Sequence, residues 1–289
     1  MRSVVITGVS TGIGHASAKV LLEKGFHVFG SVRNETDAGR LTREFGAAFT
    51  PLLFDITDEA AVRAGAAEVR ATLGGETLAG LVNNAGVAVA GPLLELPTAE
   101  FRRQLEINLV GTFIVTQAFT PLLGVDSALG GEPGRIVNIS SMAGVRALPF
   151  LGPYAASKFG LEGYSESLRR ELLLFGIDVI VIGPGPVKTP IWDKAETIDT
   201  APYQDSPYTP LMEKFSRYFV EQGRDGYPPE LIGDLVHQAL TLRKPKTRYA
   251  AVKGRLAEKL LMNIAPKRML DRIIGKKIGL LPPLRERTD

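Results

Sequence analysis

Short β-rich runs alternate with segments of helical period from the first residue to about residue 250, and that alternation leaves few folds open. Strands joined through helices pair in parallel, because the chain must return to the same end of the sheet each time, and a parallel sheet needs helices on both faces. The candidate strands are Ser3 to Thr7, His27 to Ser31, Ala48 to Asp55, Leu78 to Asn83, Gly134 to Ser140, Ile177 to Ile182 and Thr247 to Ala251. Candidate helices run from Gly12 to Lys24, Asp37 to Phe45, Asp58 to Leu73, Thr98 to Leu122, Pro153 to Phe175 and Pro229 to Arg243. The expectation is α/β: a doubly wound, seven-stranded parallel sheet filling one domain over residues 1–252. A basic amphipathic extension, residues 253–289, belongs to the same domain. One long connection, about residues 190–228, is rich in proline and aromatics and holds the single Trp192; prolines prevent it from being one uninterrupted helix. Following the sixth strand, it would hang over the carboxyl ends of the strands, where open α/β sheets bind ligands, and reads as a lid.

With 289 residues and 45% hydrophobic content, the chain can bury a sizeable core. The absence of cysteine excludes disulfides, thiolate nucleophiles and Cys-ligated metals, and His15, His27 and His237 show no ligand spacing, so no metal is expected. The start goes straight into a strand-like run without a signal-peptide pattern, and no stretch of eighteen uninterrupted apolar residues occurs; the expectation is a cytoplasmic protein. Residues 243–289 hold 14 Lys+Arg against 4 Asp+Glu, leaving 20 against 27 in residues 1–242. Basic character is thus confined to the tail. With no recognisable reading module beside it, this charge does not point to nucleic acid.

Two motifs carry chemistry. The loop Thr7-Gly8-Val9-Ser10-Thr11-Gly12-Ile13-Gly14 follows a strand and opens a helix, the context in which glycines let a backbone approach a pyrophosphate at a helix N-terminus. Tyr154 and Lys158 stand four residues apart on a predicted helix, sharing a face. An ammonium beside a phenol favours phenolate, so the pair is expected to draw the tyrosine pKa down from about 10 toward neutrality and make it a proton donor.

The spacing TGxxxGxG, with Asn83-Asn84-Ala85-Gly86 after the fourth strand, Ser141 ending the fifth, YxxxK on the next helix and Pro184-Gly185-Pro186-Val187-Lys188-Thr189 after the sixth, resembles the short-chain dehydrogenase/reductase family in its single-domain, Rossmann-type form. The resemblance spans residues 1 to about 250. It implies that Tyr154 is the general acid in reduction and general base in oxidation, and that Lys158 lowers its pKa while bonding the nicotinamide ribose. It implies further that Ser141, rather than its neighbour Ser140, hydrogen-bonds the reacting oxygen, and that Asn108 kinks its helix and holds a water against the lysine. Cofactor contacts implied by position are Gly8, Ser10, Thr11, Gly12, Ile13 and Gly14 at the phosphates, Asp55 and Ile56 at the adenine, Asn84, Ala85 and Gly86 along the ribose side, and Pro184, Gly185, Val187 and Thr189 at the nicotinamide.

An acidic residue after the second strand suits the 2′-hydroxyl of NAD, whereas arginine suits a 2′-phosphate. Here the chain reads Ser31-Val32-Arg33-Asn34, which favours NADP(H) over NAD(H); Glu35 and Asp37 are the alternative, late-placed ribose partners.

A looser resemblance links the segment from Arg243 to Tyr249 and the helical stretch after it to the retinol dehydrogenase and hydroxysteroid dehydrogenase branch. It implies a secondary alcohol or ketone on an apolar, steroid-, retinoid- or lipid-like molecule. A 3-oxoacyl ketoreductase and a catalytically silent dinucleotide-binding scaffold are the competing readings. From Leu256 to Leu281, apolar residues recur near helical spacing among lysines and arginines, which suits either docking on the body or peripheral contact with an anionic membrane. The resemblance also implies a homo-oligomer, dimer or tetramer, formed through the two long helices.

Overall fold

Strands β1 (Ser3–Ile6), β2 (His27–Val32), β3 (Phe49–Leu53), β4 (Gly80–Asn83), β5 (Arg135–Ile139), β6 (Asp178–Pro184) and β7 (Arg248–Ala251) form one sheet, and in β1, β2, β4, β5 and β6 successive side chains are buried on its opposite faces. Val4, Val28, Val82, Val137 and Ile180 enter one core cluster, while their neighbours Val5, Phe29, Leu81, Ile136 and Val179 enter another. A strand's two-residue period sends its apolar run to both sides, so each strand reads as nearly continuous hydrophobicity. All pairings are parallel, in the order β3-β2-β1-β4-β5-β6-β7. This computed structural model describes residues 1–190, 203–251 and 266–282.

Helices α1 (Gly12–Glu23) and α2 (Glu35–Phe45) serve the first cluster, and α3 (Glu59–Thr72), α5 (Thr112–Phe119) and α6 (Gly152–Glu171) the second. Helix α4 (Thr98–Leu105) leads into α5 through a widened π turn, Glu106–Gly111. The continuous run Thr98–Leu123 is long and apolar enough to cross a membrane, yet its Val115 and Phe119 are wholly buried in the second cluster. Helix α7 (Thr209–Arg224) lies in the expected lid region, α8 (Pro229–Thr241) packs along α1, and α9 (Lys267–Ile278) belongs to the C-terminal extension. Gly233 makes the α1 contact close: a Cβ there would lie 2.9 Å from Val20 Cγ2 and 3.1 Å from the Ala16 carbonyl.

The expected strands and helices are present with small shifts at their ends. Helix α7 was not expected. Pro207 and Pro210 precede or begin it and Pro228 follows it, so the prolines bound a helix that they would interrupt only from its interior. Trp192 and the first part of the expected lid, like Leu260, Leu261 and Ile264 of the tail, lie outside the described residues.

A third, smaller cluster sits apart from the sheet. Phe150, Leu151, Tyr203, Met212, Phe215 and Ile278 are buried together, with Leu211, Phe219, Ile274 and Leu280 against them. Helix α9 therefore docks on α7 through Ile274 and Ile278, and Lys277 places its ammonium 3.8 Å from the centre of the Tyr218 ring.

Candidate active site

The glycine loop leaves β1 and is fixed by its neighbours before α1 begins. Thr7 Oγ1 accepts from the backbone N–H of Asn84 at 2.9 Å and of Ala85 at 3.0 Å, and Asn84 Nδ2 donates to the carbonyls of Thr7 and Gly8. Gly8 N–H donates to Ser31 Oγ, joining the loop to the end of β2. Gly8 has φ +70°, and a Cβ on Gly14 would lie 2.2 Å from the Gly8 carbonyl oxygen, so the turn closes only with glycine at both places. The cradle has the tightness expected of a pyrophosphate-binding turn.

Beside it opens a cavity of about 340 Å³. Gly8, Ser10, Thr11, Gly12, Ile13, Arg33, Asp55, Ile56, Asn84, Ala85, Gly86, Asn108, Tyr154, Lys158 and Thr189, all expected, line it. Gly14 stands behind the loop and shapes it. Pro184, Gly185 and Val187 do not line the cavity: Gly185 N–H donates to the Ala251 carbonyl at 2.7 Å, and Val187 is buried in the first cluster. They carry Thr189, whose methyl would meet a Cβ on Gly12 at 3.4 Å and which so closes over the loop. Asp55 is already engaged, accepting from Thr57 N–H at 2.9 Å and Thr57 Oγ1 at 2.7 Å. Ser140 also lines the cavity, and its buried Oγ has no hydrogen-bond partner among the described residues.

At the far end, α6 presents Tyr154 and Lys158. Lys158 is 6% exposed; its Nζ donates to the Ile139 carbonyl at 2.8 Å and stands 5.8 Å from the centre of the Tyr154 ring. Ser141 begins the short turn Met142–Gly144, its Oγ accepting from Ala143 N–H, and its hydroxyl lies close enough to the Tyr154 phenol to favour the ionised form. Burial pushes the Tyr154 phenol up, with the Ser141 hydrogen bond working against it, and pushes Lys158 down to about 8, with the Glu162 carboxylate working against that. The expected drop in the tyrosine pKa is therefore not found. Spacing puts the two side chains on one face, but both sit in a poorly hydrated cleft, where desolvation outweighs their mutual effect.

Asn108 lies in the π turn, 1% exposed. Its Oδ1 accepts from Val87 N–H, while Nδ2 donates to the Val87 carbonyl and to Ser157 Oγ, which in turn donates to the Tyr154 carbonyl. One turn earlier, Gln104 grips the same segment, donating to the Val87 carbonyl and accepting from Val89 N–H at 2.6 Å. Asn108 thus reaches α6 through Ser157 and does not touch Lys158 directly.

An oriented Ser–Tyr hydroxyl pair, a buried cation and a pyrophosphate cradle on one parallel sheet decide the family, in company with the sequence comparisons. Residues 2–199 match the family model described as short chain dehydrogenase. The chain is a short-chain dehydrogenase.

As such it is an oxidoreductase. It is 40% identical over 281 residues to an NADPH-dependent 3-dehydrocapnine reductase of Ornithobacterium rhinotracheale, covering 97% of this chain and 99% of that one. Retinol dehydrogenase 5 of Mus musculus is 34% identical over 262 residues, covering 86% and 79%. Among solved structures, a short-chain dehydrogenase from Streptomyces avermitilis superposes with a TM-score of 0.75 at 24% identity, covering 96% of this chain and 97% of that one.

The features of this dehydrogenase that sequence reading missed lie in the segment leading to Tyr154. Phe150, four residues before Tyr154, has φ +63°, uncommon for a bulky residue. It is held by the Phe215 and Tyr208 rings at 5.7 and 6.1 Å, and its carbonyl accepts from Gly91 N–H. The apolar run Leu148-Pro149-Phe150-Leu151 between Ser141 and Tyr154 was the available signal.

Proposed function

We propose that this short-chain dehydrogenase uses NADP(H) to interconvert a secondary alcohol and a ketone on an apolar, steroid-, retinoid- or lipid-like molecule. The observation that carries the reading is that one cavity is lined by Tyr154, Lys158 and the glycine loop, with the Ser141 hydroxyl acting on the Tyr154 phenol at its end. Two hydroxyls at that point can both bond one carbonyl oxygen, and the charge such an oxygen gains on reduction is stabilised by donors already oriented toward it. Tyr154 is the proton donor in reduction and the acceptor in oxidation. Lys158 steadies the phenolate, and Asn108, through Ser157, fixes the start of α6.

The nicotinamide supplies the hydride when bound. Residues lining the cavity fit such a group: the glycine cradle receives phosphates, Asp55 and Ile56 flank the adenine end, and the unpartnered Ser140 Oγ has a hydroxyl to offer. Preference for NADP(H) rests on Arg33. It is exposed at the cavity rim and makes no ion pair among the described residues, leaving its guanidinium free for a 2′-phosphate. Asp37, also at the rim, is instead tied by Arg40 at 3.0 Å and Asn34 at 3.1 Å, and Arg40 further donates to the Ser10 carbonyl. The relative that uses NADPH leans the same way.

The apolar substrate class is supported by the apolar cluster of Phe150, Tyr203, Met212 and Phe215, of which Phe150 stands four residues before Tyr154. Docking of α9 on α7 favours a tail that walls this side over one laid on a membrane. Exposed Val110, Phe113 and Phe159 on the two long helices suit pairing with a second copy. A panel of steroid, retinoid, acyl and aliphatic ketones with NADPH, followed by nicotinamide absorbance, tests the reading. Reduction of an apolar ketone is expected; turnover confined to acyl thioesters would transfer the activity to a 3-oxoacyl ketoreductase.

A further inference from the structure

One turn beyond Lys158 on α6 stands Glu162. Positions four apart share a helix face, so its carboxylate belongs to the same side of α6 as the lysine. From β7, Arg248 reaches it with three hydrogen bonds: Nε to Oε1 at 3.2 Å and to Oε2 at 3.0 Å, and Nη2 to Oε1 at 3.0 Å. The side chains are 18% and 28% exposed.

Two glycines make room for this pair. A Cβ on Gly183 of β6 would lie 2.3 Å from Arg248 Nη2, and one on Gly144 would lie 3.0 Å from Glu162 Cγ, 3.0 Å from the Lys158 carbonyl and 2.7 Å from Ser140 Oγ. Gly144 ends the turn that Ser141 begins. The last strand, the serine turn and the lysine helix therefore meet at one carboxylate. A half-buried ion pair is weak grounds for stability by itself, since desolvating both partners offsets much of their attraction.

Among the described residues, few groups face Lys158. Its own helix offers the Tyr154 phenol and the Glu162 carboxylate, β5 gives the Ile139 carbonyl, and the neutral Ser140 hydroxyl and Asn108 amide line the same cavity. From β7 comes Arg248, of the same sign as the lysine and bound to Glu162. Glu162 is thus the negative charge that opposes the burial of Lys158, whose pKa is pushed down to about 8.

We propose that Glu162, held by Arg248, is a positioning residue of the active site: its carboxylate keeps the buried Lys158 ammonium charged, and so sets how far into alkali the reaction runs. This rests on the roles given above to Tyr154 and Lys158.

The test is an NMR titration of nucleotide-free protein carrying ¹⁵N at lysine Nζ, with the Lys158 signal assigned by its disappearance in Lys158→Arg. Glu162→Gln keeps shape and an acceptor for Arg248 but loses the charge; Glu162→Asp keeps the charge and alters the packing. The Lys158 midpoint is expected to fall by about half a unit or more in Glu162→Gln and to hold near wild type in Glu162→Asp. The alkaline limb of NADPH-dependent ketone reduction should move down by the same amount. A Glu162→Gln protein that is folded with an unchanged midpoint, one that does not fold, or an Asp variant shifted as far as the Gln variant would each overturn the proposal, leaving Glu162 a role in the fold alone. The titration needs no turnover, so it is decided separately from the oxidoreductase reading, which fails instead if Tyr154→Phe leaves ketone reduction intact.

Discussion

Lys158 Nζ stands 5.8 Å from the centre of the Tyr154 ring and gives a hydrogen bond to the Ile139 carbonyl, so the cation is anchored to β5 and not to the phenol. The group that acts on the phenol is the Ser141 hydroxyl. On the proposed reading the proton itself passes through the Tyr154 hydroxyl. Tyr154→Phe is expected to reduce turnover of a proven ketone by about 10²–10⁴-fold while leaving NADPH affinity, measured by fluorescence titration, within a few-fold of wild type.

Burial of Lys158 gives stability a pH dependence of defined sign. The folded pKa is about 8, against an ordinary 10.5, so between those values the unfolded chain holds the proton more tightly and the folded state gains stability as pH rises. The whole effect is of order 3 kcal/mol. Tyr154 acts oppositely above pH 10, where the unfolded phenol ionises first. In nucleotide-free Tyr154→Phe protein, Lys158→Met is expected to melt higher near pH 7, the gap closing by pH 10. A gap independent of pH would show that the lysine is not desolvated.

Arg33 is expected to choose the cofactor. Loss of its guanidinium in Arg33→Ala should weaken NADPH binding tenfold or more, about 1.4 kcal/mol, with NADH little changed. An unaltered ratio of the two affinities would move the choice to Arg40 or Asp37.

Gly14→Ala should weaken nucleotide binding. Its Cβ would strike the Gly8 carbonyl at 2.2 Å and Asn84 Nδ2 at 2.4 Å, and the first of these is backbone in a turn that cannot retreat. NADPH affinity is expected to fall by more than tenfold, together with a lower melting temperature; equal affinity in the variant would mean that the cradle is looser than its geometry.

Phe215→Ala should open the third cluster, with a cost of about 3–5 kcal/mol at a site off the sheet. The expected result is a raised KM for an apolar ketone with the sheet domain still folded by circular dichroism. A KM unchanged in the folded variant would place the substrate elsewhere.

Sheet and glycine loop were legible because their causes are local. Val4-Val5-Ile6 and Val179-Ile180-Val181-Ile182 are apolar at every position, which only a strand covered on both faces requires. The Tyr154–Lys158 pair was visible as spacing, but the direction of the tyrosine shift was not, since that depends on how deep the cleft is. Nor was the third cluster: Phe150, Tyr203, Phe215 and Ile278 come from segments far apart in the chain, and only folding brings them together. The Arg248–Glu162 pair spans 86 positions and left no pattern to find.

The widened turn at Glu106–Gly111 holds one residue more than a regular helix would use over the same rise. Gln104 before it and Val115 after it are both fully buried. Within it the amide at 108 serves the backbone of Val87 as a neighbouring strand would, taking its N–H and offering a donor to its carbonyl.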